Sequence, residues 1–346
     1  MDTRRLGTTD LRVGVIGLGT MTWGSQNTEA EGHAQLDRAL DLGINLIDAA
    51  EMYPVPPTGE TFGRTEEIIG SWLASRPGVR SRIVLATKVT GQMNALPHVR
   101  DGKGRLDRRT IAGAIDASLK RLRTDYVDLY QTHSPDRAVN AFGRLGYVHE
   151  PARDGAAIEE TLDAMGELVK AGKVRHVGVS NETPWGLARH LTLAGGARPR
   201  VQTIQNPYSL LNRTFEVGLA EMCMRDNVGL LTYSTLAMGV LAGKYLNGAR
   251  PQGCRLTMYE RFKRYSTPRA EPAAAAYVAL ARRHGIDPVH MAFAFAARQP
   301  FVASVLIGNS QVAQLEHNVR AAEVTLSAEL LKEIDAIHHG NPNPCP

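Results

Sequence analysis

Two regimes of apolar patterning alternate along this chain. Short, nearly unbroken apolar runs rich in β-branched residues recur at 15–18, 44–48, 83–88, 127–133, 174–180, 201–205, 229–234 and 302–307. Longer stretches between them carry apolar residues at helical spacing. Runs of the first kind suit strands buried on both faces, and their alternation with helices predicts parallel βα units. Eight such runs are what a closed barrel needs. The expected fold class is therefore α/β, a (β/α)8 TIM barrel with residues 1–346 as one domain. Before the first run, RRLGTTDLRV predicts a hairpin around 7–10 that plugs the barrel bottom. Segments 270–284 and 288–298 both read as helical, which places extra helices before the last strand. A doubly wound open sheet is the competing architecture. It requires G-x-G-x-x-G after its first strand, and GLGTMTWG lacks that spacing.

Local signals refine two helices. Asp107 reads as the N-cap of RRTIAGAIDASLKRL, with Ile111, Ile115, Leu119 and Leu122 on one stripe. In TEEIIGSWLASR, Thr65 reads as a cap and Glu66 and Glu67 suit the positive helix end. Ile68, Ile69, Trp72 and Leu73 of that segment face inward. Long segments at 90–106, 134–155 and 244–268 follow strands three, four and seven. They lie on the side where a barrel builds its active site, so they predict substrate or cofactor walls, or a lid.

Composition narrows the class. Hydrophobic residues are 43% and charged residues 22% of 346, an ordinary globular balance that excludes wholesale disorder. Cys223, Cys254 and Cys345 form neither a disulfide framework nor a CxxC pattern, which fits a reducing compartment. No apolar run is long enough to span a bilayer, and MDTRRLGTTD has no stretch of signal-peptide type, so a soluble, cytoplasmic protein is expected. A net charge of +5 and a pI of about 9.1 raise nucleic-acid binding as a possibility. Basic residues are spread without a run of five or six, however, and no recognition motif is present. A solvated arginine-rich surface, or a small basic site for a phosphorylated small molecule, explains the excess as well. The expected partner is a small molecule rather than nucleic acid or membrane.

The strand ends carry the candidate chemistry. They read INLIDAAEMY, IVLATK, VDLYQTH, VRHVGVSN, VQTIQNPY and LLTYS, each turning polar after an apolar run. In a barrel these ends share one rim, bringing Asp48, Tyr53, Lys88, His133, Ser180, Asn181 and Gln205 to one pocket. Singly each has a plain structural reading: a turn cap, a rim aromatic, a lysine exiting to water, a satisfied core histidine. Together they suit proton donation to a carbonyl oxygen. Lys88 beside Tyr53 would favour phenolate and make the phenol a better acid, and Asp48 would hold Lys88 charged. His133 would orient a substrate oxygen or relay a proton. No His/Asp/Glu cluster has metal-ligand spacing, so no metal site is expected, and no G-x-S-x-G elbow is present. A carbonyl that takes a proton must also take a hydride, which implies a nicotinamide cofactor.

The segments GLGTMTWG, INLIDAAEMYP, LATKV, DYVDLYQTH, GKVRHVGVSNE, IQNPYSLLNR, YSTLAMGVLAGKY and LIGNSQVAQLEHN, in this order, make the chain similar to the aldo-keto reductases over essentially its full length. Within that family it resembles the bacterial Tas-type branch, related to potassium-channel β subunits. The resemblance implies NADPH-dependent reduction of aldehydes, with ketones as a further class. Its catalytic tetrad falls on Asp48, Tyr53, Lys88 and His133, with Tyr53 as general acid. Ser180, Asn181 and Gln205 match residues that hold the nicotinamide carboxamide, and Tyr233 matches the aromatic stacked on the ring. Ser234, Leu236, Gly239 and Lys244 match the pyrophosphate strap, and Thr20 and Met21 match positions beside the ribose and ring, next to Asp48. Gly308 opens the turn in which Ser310 and Gln314 match ribose-phosphate contacts. Asn318 matches an adenine contact and Arg255 a residue facing the 2′-phosphate. The chain departs from the pattern at His317, where many relatives have Glu, which bears on the adenine amino contact. Read without the resemblance, GNSQVAQLEHN is a surface helix capped by Ser310.

An NADP-dependent carbonyl reductase is the expected function. The alternative is a cofactor-binding redox sensor or scaffold with little turnover. Specificity is expected to lie in Met52, Tyr53, Trp23 and the long loops. Arg137, Arg144 and Tyr147 either meet an anionic substrate or are solvated, and the solvated reading is preferred.

Overall fold

The computed structural model describes residues 1–92, 96–102 and 104–346. Two short strands, β1 (Thr3–Arg5) and β2 (Arg12–Gly14), pair antiparallel. Eight parallel strands follow: β3 (Ile16–Gly19), β4 (Leu46–Asp48), β5 (Val84–Val89), β6 (Val127–Thr132), β7 (Val174–Ser180), β8 (Val201–Gln205), β9 (Gly229–Thr232) and β10 (Val302–Ile307). They close in the order β10-β3-β4-β5-β6-β7-β8-β9. Closure, with β10 hydrogen-bonded to both β3 and β9, rules out the open-sheet alternative.

The barrel interior changes character with height, because a strand repeats every second residue on one face. On β5, Val84 and Ala86 lie below Lys88; on β6, Leu129 lies below Gln131; on β4, Leu46 lies below Asp48. Val84, Ala86, Leu129, Leu46, Leu231, Ala303 and Leu306 form one apolar cluster with Leu6 and Val13 of the hairpin. The hairpin thus plugs the apolar end, and polar side chains occupy the other. Gly178 of β7 permits the close packing between these layers. A Cβ there would sit 2.2 Å from Thr203 Oγ1 and 3.1 Å from Gln131 Cγ.

A ring of helices covers the outside. Helix α1 (Glu29–Asp41) begins with a Thr28/Glu31 capping box, and α3 (Arg108–Leu122) with Asp107 accepting from the Thr110 amide at 2.8 Å. Helix α2 (Arg64–Ala74) starts earlier than expected. The chain turns at Gly63, with φ of 80°, so Thr65 is inside the helix and its hydroxyl donates to the Trp23 carbonyl instead of capping. Further helices are α4 (Ile158–Lys170), α5 (Pro184–Leu193), α6 (Leu219–Arg225) and the short α7 (Arg255–Met258). The expected extra helices appear as α8 (Ala270–Arg283) and α9 (Pro288–Ala297). After β10 come α10 (Val312–Val319) and α11 (Ala328–Gly340). No helix among the described residues is long and apolar enough to cross a membrane.

The three long segments do follow β5, β6 and β9 at the polar end. Residues 93–95 and 103 of the first lie outside the described residues.

Candidate active site

Asp48 ends β4, Lys88 lies near the end of β5, His133 follows β6, and Tyr53 is on the segment after β4. The barrel brings all four together. Lys88 Nζ donates to Asp48 Oδ2 at 2.6 Å and to the Ala49 carbonyl at 2.7 Å, and lies 3.5 Å from the Tyr53 hydroxyl oxygen. Asp48 Oδ1 accepts from the side-chain amides of Gln205 at 2.9 Å and Gln131 at 3.4 Å. The His133 ring meets the Tyr53 ring edge-on, with centroids 5.6 Å apart. Lys88 is fully buried and Asp48 is 2% exposed. A charged lysine in such a place needs this carboxylate, since unpaired burial of either charge is costly.

The electrostatics follow from burial. Desolvation pushes the Lys88 ammonium below its ordinary value, opposed by Asp48. Burial, then the positive charge of Lys88, holds His133 well below 6.5, so its ring is neutral. Its Nδ1 is buried and has no hydrogen-bond partner. The expectation for Tyr53 needs correcting. Burial and then the Asp48 carboxylate raise its pKa well above 10, and only Arg255 opposes them. Lys88 Nζ lies 3.5 Å from the hydroxyl oxygen, but burial outweighs any cation nearby, so the net shift is upward.

Around this centre, Ser180 donates to the Gln205 carbonyl at 2.7 Å, and Asn181 Nδ2 donates to the His133 carbonyl at 2.8 Å. The Tyr233 hydroxyl donates to Asn181 Oδ1 at 2.5 Å. Thr20 donates to the Asp48 carbonyl at 2.8 Å, and the Met21 carbonyl accepts from the Val55 amide. Ser234 takes a positive φ of 56°, beginning the tight strap through Leu236 and Gly239, which packs against the exposed Lys244.

A positive corner is formed at Arg255, Gly308 and the start of α10. Arg255 has no carboxylate partner among the described residues; its Nη1 contacts the Met238 sulfur. A Cβ on Gly308 would be 3.3 Å from its Nη2. Nearby, α10 has Gln311 at its N-cap and no side-chain cap. An unpaired guanidinium beside an uncapped helix N-terminus suits an anionic phosphate. Ser310 is not the cap. Gln314 Oε1 folds back to accept from its amide at 2.9 Å and its hydroxyl at 3.0 Å, so that hydroxyl is used as a donor. Asn318 is buried and donates to Asn309 Oδ1 at 2.7 Å, while His317 stacks on His290 with centroids 4.4 Å apart.

The aldo/keto reductase family profile matches residues 15–339. The chain belongs to this family. It is 51% identical over 352 aligned positions to Protein tas of Escherichia coli (strain K12), covering 100% of both chains. It is 31% identical to Uncharacterized oxidoreductase YrpG of Bacillus subtilis (strain 168), over 98% of this chain and 97% of the other. To L-glyceraldehyde 3-phosphate reductase of E. coli (strain K12) it is 30% identical, over 97% of this chain and 92% of the other. The aldo/keto reductases are oxidoreductases that generally use nicotinamide cofactors and act on small carbonyl compounds, and this chain shares that role at the family level.

In this aldo/keto reductase, some expected specificity residues are placed elsewhere. Trp23 is fully buried and packs on α1, where a Cβ on Gly32 would be 3.3 Å from its ring, so it does not open on the mouth. Arg137 is ion-paired with the buried Glu182 and lies over the Trp185 ring at 4.8 Å. Tyr147 is 60% exposed and bonded to His149, and Arg144 is exposed, the solvated arrangement preferred above. Sequence reading missed Gln131, although the two-residue repeat back from His133 points to it. It also missed Glu51, which lies two residues before Tyr53. Glu51 is buried, receives the Thr90 amide at 2.6 Å and pairs with Arg100 at 2.7 Å, tying the 90–106 segment to the Tyr53 segment.

Proposed function

We propose that this single-domain protein is an NADPH-dependent reductase of aldehydes, and of ketones as a further class. The observation that carries the proposal is the buried convergence of Tyr53, Lys88, Asp48 and His133 within hydrogen-bond and ring-contact distances. Ser180, Asn181 and Gln205 supply hydroxyl and amide groups for a nicotinamide carboxamide. Arg255, Lys244, Ser310, Gln314 and the α10 N-terminus supply the phosphate contacts. Asn181 must release Tyr233 for this, leaving the Tyr233 ring as a stacking face. When bound, the reduced cofactor supplies a hydride to the carbonyl carbon.

The protein's own residues handle the proton. Tyr53, held neutral by its raised pKa, donates its hydroxyl proton to the oxygen as negative charge develops there. Alkoxide is a far stronger base than phenolate, so even this weak acid transfers downhill. Lys88 then lies beside the phenolate, Asp48 fixes Lys88, and water returns the proton. Neutral His133 meets the carbonyl oxygen and orients it. Tyr53→Phe removes only the proton donor, so NADPH affinity should stay within about twofold while turnover falls by about 10²–10⁴. Fluorescence titration with NADPH and steady-state kinetics check both. Turnover surviving in the variant would contradict the assignment.

A further inference from the structure

A second guanidinium, on a segment at the polar end of the barrel, has no carboxylate partner among the described residues. Arg264 belongs to the 244–268 segment after β9, and it is half-buried. Its guanidinium lies 5.0 Å from the centroid of Phe142, on the segment following His133, and 4.8 Å from that of Tyr265. A Cβ on Gly143 would be 3.3 Å from Arg264 Cβ, so the two loops touch here. Among the described residues Arg264 has no carboxylate partner, and the groups that bear on its charge are the phenols of Tyr265 and Tyr233. Tyr233 in turn reaches Asn181, whose amide holds the His133 carbonyl. Arg264 is thus linked through Tyr233 and Asn181 to His133 at the reacting centre. The phosphate corner is formed by Arg255 and Gly308, and both Arg255 and Arg264 bear on the Tyr265 phenol.

A partly desolvated cation is costly unless an anion joins it, and flanking aromatic faces offset only part of that cost. Those faces also fix the fork of the guanidinium, which suits planar, two-point recognition of a carboxylate or phosphate. We propose that Arg264 is a substrate-binding residue that recognises an anionic group, so the preferred carbonyl substrates carry a carboxylate or phosphate away from the carbonyl. This deepens the reductase reading and rests on it.

The test compares 4-carboxybenzaldehyde with its neutral isostere, methyl 4-formylbenzoate, in wild type and Arg264→Gln. The wild-type kcat/KM ratio should favour the anion by about tenfold or more, most of it in KM, as a charge-assisted bond would give. In Arg264→Gln the ratio should fall to near one, and Arg264→Lys should restore part of it. A wild-type ratio near or below one overturns the proposal. So does a ratio preserved in Arg264→Gln, which is what a purely structural tie between loops gives. An NADPH affinity that falls as much as the anionic kcat/KM also overturns it, assigning Arg264 to the cofactor.

A binding arm separates this proposal from the reductase reading. Calorimetry with the NADP-loaded protein compares 4-(hydroxymethyl)benzoate with 4-(hydroxymethyl)benzamide. Selective carboxylate binding that Arg264→Gln abolishes supports the anion site even where no turnover occurs. Equal binding of the two overturns it even where turnover is rapid.

Discussion

Asp48, Lys88 and His133 were legible in the sequence because each lies at the end of an apolar run, and Tyr53 because it follows Asp48 closely on the segment after β4; a closed barrel sends those ends to one place. What could not be read was the direction of the Tyr53 shift. It depends first on the complete burial of the phenol and then on the Asp48 carboxylate nearby, both of them tertiary facts. The same pairing makes a stability prediction. Lys88→Met leaves the Asp48 carboxylate buried with only amide partners, which should cost about 3–5 kcal/mol in urea unfolding. Adding Asp48→Asn removes the stranded charge and should recover much of that loss. The pH dependence follows from His133 and Tyr53. His133 is held well below 6.5, so kcat/KM for reduction should show no limb near that value. Tyr53 is held above 10, so the phenol stays a donor throughout the neutral range, and activity should be flat from about pH 6 to 8. A limb centred near 6.5 would mean that His133 ionises in the working enzyme. For stability the sign is set by the unfolded chain. Below 6.5 it binds a proton that folded His133 refuses, so this residue lowers stability as pH falls through that value.

Strands and most helices were legible at the level of elements, because parallel strands buried on both faces appear as unbroken apolar runs. Caps were less so. Asp107 caps α3 as its position suggests, whereas Thr65 and Ser310 are diverted to the Trp23 carbonyl and the Gln314 side chain. Those competing partners come from other parts of the fold or from a side-chain rotamer. Glu66 is the clearest case. It looked like a first-turn acid stabilising a helix dipole, yet it is fully buried, pairs with Arg121 of α3 at 2.7 Å and accepts from Thr87 of β5 at 2.5 Å. Burial raises its pKa above the ordinary carboxylate range, with Arg121 opposing. Arg121→Met should therefore cost about 3–5 kcal/mol near neutral pH. Folded Glu66 holds its proton more tightly than the unfolded chain does, so the penalty should shrink as pH falls toward the ordinary value. Urea midpoints across that range check it; a pH-independent penalty would show that Glu66 stays charged.

At the scale of the whole molecule, the barrel divides its work between its ends. The hairpin and apolar layers close one end, and the other gathers the polar strand ends under three long segments. The architecture followed from counting strands. The contact between Arg264 and Phe142 did not, because it joins loops that no local pattern relates. Binding of NADPH should couple to the stability of the entire barrel. At a free concentration of a hundred times Kd it should add about 2.7 kcal/mol to unfolding, read as a raised Tm. The most direct test of the central claim is steady-state NADPH oxidation by the wild-type protein across a panel of aldehydes, with binding measured in parallel. NADPH consumption should be matched by alcohol formation. Tight NADPH binding with rates near zero on every carbonyl would contradict it and mark the protein as a sensor.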